Sequence, residues 1–77
     1  MNSNIDQNRY YSAAQVVRLG VLPWKSAVTF NRRLQEQQWI DIFNPIVEQK
    51  KILKRYHIKG ENIIKFLELA EAGKLTI

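Results

Sequence analysis

The sequence predicts a small α+β domain in the order helix, turn, helix, β-hairpin, helix. Three observations predict it. Residues 25–38 place apolar side chains on one side of a helical repeat and basic or polar ones on the other. Residues 39–58 then change to runs that alternate with a period of two, broken by Asn44-Pro45. Residues 61–72 return to helical spacing through Ile63, Ile64, Phe66, Leu67 and Ala70.

A chain of 77 residues holds one domain with a small core and no room to enclose a large cofactor. It has no cysteine, which excludes disulfides, thiolate metal sites and a cysteine nucleophile. No apolar run approaches the roughly 20 residues that span a bilayer, and residues 1–8 lack the order of a secretion signal. A cytoplasmic location is the expectation. The net charge of +5 is unevenly placed. Residues 25–59 hold eight Lys and Arg against three carboxylates; the remainder is balanced at four of each. Such asymmetry points to a polyanionic partner.

Residues 1–9 are polar and Asn-rich and read as a disordered tail, with the folded domain over 10–77. Ser12 suits the N-cap of a first helix over 13–19. Tyr11 is placed to staple onto Val16, and Gly20 to end the helix in a left-handed turn. Val21-Leu22-Pro23-Trp24-Lys25 is too apolar for a solvated loop. Leu22 and Trp24 are expected between the helices, with Trp24 in the core rather than stacked on a base.

Ser26 is the expected N-cap of the second helix. On that helix Ala27, Phe30, Leu34 and Gln37 share one face; Val28, Thr29, Arg32 and Glu36 share the other, with Arg33 at the edge. Trp39-Ile40-Asp41-Ile42-Phe43 reads as a strand, rich in β-branched and aromatic residues. Residues 46–51 read as a basic hairpin tip, and residues 52–58 as the return strand. On the return strand Ile52, Lys54, Tyr56 and Ile58 face one way; Leu53, Arg55 and His57 face the other. A hairpin of this kind after two helices has the sequence form of a wing. Gly73 is the expected stop of the last helix. The core is expected to draw on Val16, Val17, Leu19, Leu22, Trp24, Phe30, Leu34, Trp39, Ile42, Tyr56, Ile58, Ile63, Phe66 and Leu67.

Three stretches together resemble the excisionase-like, MerR-type winged helix-turn-helix domains. They are Tyr11-Ser12-Ala13-Ala14-Gln15-Val16-Val17, Leu22-Pro23-Trp24-Lys25-Ser26, and residues 55–67. The third opens with Arg55-Tyr56-His57-Ile58, similar to that family's Arg-Tyr-x-Ile run, and ends in Phe66-Leu67. The resemblance covers roughly residues 10–69. It implies binding to double-stranded DNA, with the second helix in the major groove and the wing on the backbone or minor groove. It implies an accessory or architectural factor of DNA recombination, or a transcription regulator, of a phage or integrative element. Two features depart from the family: no Gly follows the second helix, and Pro45, Ile46 and Val47 make the hairpin more apolar. No long dimerisation helix follows the last helix, which favours an architectural factor or one that assembles on repeated sites.

The DNA-binding candidates are Lys25, Ser26, Thr29, Arg32 and Arg33 on the second helix, and Lys50, Lys51, Lys54 and Arg55 on the hairpin. Arg32 is the leading base reader, because its guanidinium can bridge a guanine edge with two hydrogen bonds. Arg33 is placed for a phosphate, and Asn31 lies toward the flank. Enzymatic activity is not expected. His57 is the lone histidine, the carboxylates are scattered, and no metal-ligand spacing or phosphate loop appears, so no metal, cofactor or small-molecule substrate is implied. The alternative is a protein-interaction module. Ile46 and Val47, or the apolar end Leu75-Thr76-Ile77, would dock a recombinase or a second copy of the chain. A membrane-surface role would require apolar helix faces that the core needs.

Overall fold

The computed structural model describes residues 5–75. Among these residues four helices pack with a three-stranded antiparallel sheet. The elements are β1 (Tyr10–Ser12), α1 (Ala13–Arg18), α2 (Ala27–Arg33), α3 (Gln37–Phe43), β2 (Ile46–Lys50), β3 (Leu53–Lys59) and α4 (Gly60–Glu71). The sheet order is β1-β3-β2, with β3 in the centre.

Local chemistry accounts for the helix ends. The Gln15 amide donates to Ser12 Oγ at 3.2 Å, and the Ser12 amide donates to Gln15 Oε1 at 2.9 Å. That reciprocal pair satisfies two amides at the start of α1. Past its end, Gly20 takes φ 73, as expected of a left-handed stop. Ser26 Oγ accepts the Thr29 amide at 3.1 Å and starts α2. Tyr11, expected to staple onto Val16, is a strand residue opposite Ile58 and is buried in the same core cluster as Val16.

The second helix is shorter than the 25–38 expectation. Its last turn tightens, with the Gln35 and Glu36 amides donating to the carbonyls of Arg32 and Arg33. Glu36 then turns extended, and a new helix begins. The expectation of a strand over 39–43 is therefore corrected: these residues belong to α3. Apolar residues at 39, 40, 42 and 43 fit both a strand and a helix, and packing decides. Trp39 and Phe43, one turn apart, are both buried, while Gln37 Nε2 donates to Asp41 Oδ1 at 2.7 Å on the wet side. Asn44, left-handed at φ 43, closes α3 ahead of Pro45. The turn signal at 44–45 ends a helix; it does not join two strands.

The hairpin is displaced accordingly. Residues 46–50, expected as the tip, form strand β2. Pairing runs from Ile46 opposite His57 to Lys50 opposite Leu53. Only Lys51 and Ile52 link the strands, and Lys51 adopts φ 53. The long basic tip is replaced by a tight turn made without Gly or Asn. Tyr56 and Ile58 face the core as expected.

Two further differences lie at the N-terminus. Residues 5–9, expected as a disordered tail, are ordered against the domain, and residues 1–4 of that tail lie outside the described residues. Ile5 is buried, and the Asp6 amide donates to Tyr11 Oη at 2.9 Å. The carbonyls of Arg9 and Gln7 accept the Gly60 and Glu61 amides at 2.8 and 3.1 Å, which caps the start of α4. Residues 10–12 are also a strand, paired with residues 57–59 of β3.

Aromatic rings make the centre of the core. Trp24 meets Trp39 edge-on at 4.9 Å, and Phe43 stacks on Phe66 at 5.0 Å. Phe30 meets Phe43 edge-on at 5.3 Å. The connector, three helices and β3 thus converge on one aromatic cluster and the adjoining Ile58 and Ile63. Trp24 is a core residue, as expected. Leu19 is not: it is 37% exposed, because α1 ends before it. Phe43, Tyr11, Ala13 and Ile5 join the core instead. At the other end of the chain, Gly73 takes φ 70, and Leu75 packs against the core.

Candidate nucleic-acid interface

Burial of Phe30 and Leu34 turns the opposite face of α2 outward, with Val28, Arg32 and Arg33 exposed and Thr29 half-buried. Lys25 and Ser26 are exposed just before the helix. The polar candidates here are not equally available. Ser26 Oγ accepts the Thr29 amide and donates to Thr29 Oγ1 at 3.1 Å. Ser26 is thereby committed to capping, while the Thr29 hydroxyl proton stays available to an acceptor. Arg33 Nη1 pairs with Glu36 Oε2 at 3.0 Å. Both side chains are about half exposed, so the pair is worth about 0.5 kcal/mol and yields readily to a phosphate. Arg32 and Lys25 form no ion pair among the described residues.

On the hairpin, cross-strand partners share a face. Lys54, opposite Gln49, extends the face that carries Tyr56 and Ile58. Lys50 opposite Leu53, and Arg55 opposite Glu48, occupy the other face. Lys51 stands at the turn. The four cations therefore surround the hairpin, and none is paired with a carboxylate among the described residues. Glu48 lies 3.5 Å from His57 Nε2, diagonally across the strands. The hairpin residues 46–55 are all exposed. Ile46 and Val47, at 50% and 49%, lie at the start of β2, and neither is a core residue nor at the tip.

One cleft, of about 220 Å³, lies between α2 and β3; of the nine candidates, Lys54 and Arg55 line it. Its walls are the start of α1 (Ser12, Ala13, Ala14), the inner edge of α2 (Ala27, Asn31) and β3 (Lys54, Arg55, Tyr56). The small alanine side chains leave this space open. Asn31 Oδ1 is buried there without a hydrogen-bond partner among the described residues. Helical position alone placed Asn31 on the flank; its proximity to the hairpin cations depends on α2 and β3 both packing against α1. An Asn one turn after Ala27, on the border between the apolar and polar faces, is the sequence signal that was available.

The structure therefore brings α2 and the base of the hairpin together along this cleft. It does not gather the nine candidates into one pocket. Among the described residues no group of His, Asp and Glu could hold a metal ion, and no helix is long and apolar enough to cross a membrane. Comparison with protein-family models, curated proteins and solved structures finds no match.

Proposed function

We propose that this chain is a small sequence-specific DNA-binding domain of the winged helix-turn-helix type. Helix α2 enters the major groove, and the β2–β3 hairpin is the wing on the backbone or minor groove. One observation carries this reading. Apart from the exposed Arg33–Glu36 pair, the candidate cations have no carboxylate partner among the described residues, and α2 and β3, with α1, wall one cleft. Cations so placed can neutralise phosphates and release counterions, the main source of affinity for a duplex. The resemblance to excisionase-like, MerR-type domains supports the same reading, and with it a role as an accessory factor in recombination or as a transcription regulator.

The roles differ along the interface. Arg32 is the base reader, Thr29 a hydroxyl donor beside it, and Lys25 and Arg33 the phosphate contacts. Lys50, Lys51, Lys54 and Arg55 hold the wing on the backbone. Fluorescence anisotropy with a selected site and with random duplex, over a range of salt, tests this. Arg32→Ala is expected to lose about 1–3 kcal/mol on the selected site and to relax its sequence preference. Lys50→Ala is expected to weaken all duplexes alike and to lower the salt slope by about one. Equal behaviour of the two variants on both DNAs would overturn the role assignment.

The other reading, a protein-docking module, has the half-exposed Ile46 and Val47 in its favour. Its affinity would not fall steeply as salt rises, whereas binding through phosphates must.

A further inference from the structure

The apex of the hairpin is chemically odd. Two-residue hairpin turns favour Gly, Asn and Asp, which take positive φ cheaply and tolerate water. This turn is Lys51-Ile52. Lys51 occupies the left-handed position at φ 53, and Ile52 is 94% exposed. Leu53 beside it is 61% exposed. Neither side chain is in the core, so folding of this chain does not account for two large aliphatic groups at its most prominent point. Lys50, Lys51 and Lys54 all lie within two residues of Ile52, and none has a carboxylate partner among the described residues.

An aliphatic tip ringed by lysines matches one kind of surface. An apolar protein groove would leave three ammonium groups desolvated or idle. A duplex offers phosphates for the lysines and, between its stacked bases, an apolar slot for the tip. The reach is adequate. Five paired residues per strand extend a ladder by roughly 16 Å, and the longest dimension of the molecule is 39 Å. The minor groove is about 6 Å wide and about 7.5 Å deep, enough for a turn's side chains though not for the whole ribbon. Apolar wedges inserted there unstack a base step and kink the helix toward the major groove.

We propose that Ile52, backed by Leu53, is a wedge that enters a base step from the minor groove, while Lys50, Lys51 and Lys54 hold the phosphates on either side. This rests on the DNA-binding reading and adds to it a specific contact and a deformation. Flexible pyrimidine–purine steps are its natural targets, because they unstack most easily.

The test uses the full chain and duplexes of about 25 base pairs, labelled at both ends for energy transfer. Matched duplexes carry 2-aminopurine at TA steps. The native protein should raise end-to-end transfer and brighten 2-aminopurine at one step. Ile52→Ala should bind with only a few-fold loss, keep its melting temperature, and lose both signals. Ile52→Phe, a larger wedge, should retain them. Native-like bending and unstacking by Ile52→Ala would overturn the wedge. Binding by the native protein with no unstacking would overturn the wedge alone. No binding to any duplex at low salt would overturn the DNA-binding reading and the wedge with it. Self-association of the native chain on sedimentation, abolished by Ile52→Ala with bending unchanged, would assign the tip to a protein contact and overturn the wedge too.

Discussion

The helical half of the molecule and its hairpin are built on opposite terms. Trp24, Phe30, Trp39, Phe43 and Phe66 surrender their surface to one another, with ring centroids 4.9–6.3 Å apart. Residues 46–55 of the hairpin are all exposed, with Ile46 and Val47 about half so, and the ladder alone would not be stable in water. What holds it is the continuation of β3 into the core through Tyr56 and Ile58, and the pairing of that same stretch with β1. Apolar burial is thus concentrated in the helical half, while four cations stand on the exposed hairpin. The difference teaches that packing within this chain fixes the identity of few side chains in the hairpin.

Substitution of matched apolar residues on each side would break this comparison most sharply. Phe43→Ala removes a fully buried ring and is expected to cost about 3–5 kcal/mol, much of what a domain this size has. Ile46→Ala, on the hairpin, is expected to cost under about 0.5 kcal/mol. Urea unfolding followed by tryptophan fluorescence reports both; similar costs would show that the hairpin carries stability after all.

A second, smaller effect sharpens the border between the halves. A Cβ on the buried Gly60 would collide with the Asp6 carbonyl oxygen, which lies over the start of α4. Gly60→Ala is therefore expected to cost about 1–3 kcal/mol, with backbone displaced rather than a flexible side chain. Amide hydrogen exchange should rise at Asp6 and Glu61 in that variant, and a native exchange pattern would show that residues 5–9 are not needed to hold α4.

The smallest effect concerns a residue that could serve either purpose. Ser26 was a DNA-binding candidate, yet its hydroxyl is committed to Thr29. Ser26→Ala is expected to lower stability by about 1 kcal/mol on thermal unfolding while leaving the salt slope of DNA binding unchanged. Weaker binding to a duplex with unchanged melting would return Ser26 to the proposed DNA face.

Much of the helical half was legible in the sequence because its signals are local. Ser12 and Ser26 cap, Gly20 and Gly73 stop, and Phe30, Leu34, Ile63 and Phe66 repeat at helical spacing. The hairpin register was not legible, because each signal for it had two meanings. Apolar residues at 39, 40, 42 and 43 satisfy either period, and Asn44-Pro45 ends helices as readily as it turns strands. The real turn, Lys51-Ile52, carries no turn residue at all. Strand β1 is three residues long, too short for alternation to register. The ordering of residues 5–9 depends on backbone carbonyls of Gln7 and Arg9, which no side-chain pattern announces. Among the candidate site residues, the identity of the cations was legible; their arrangement around the hairpin and the position of Asn31 in the cleft required the register.

The most direct test of the central claim is a two-dimensional amide NMR titration of labelled protein with a short random duplex at low and at high salt. The expected result is a set of shifts confined to residues 25–33 and 46–55 that fades as salt rises, while the amides of Phe43, Ile63 and Phe66 stay in place. An unchanged spectrum at low salt, or shifts centred on the exposed face of α4, would contradict it.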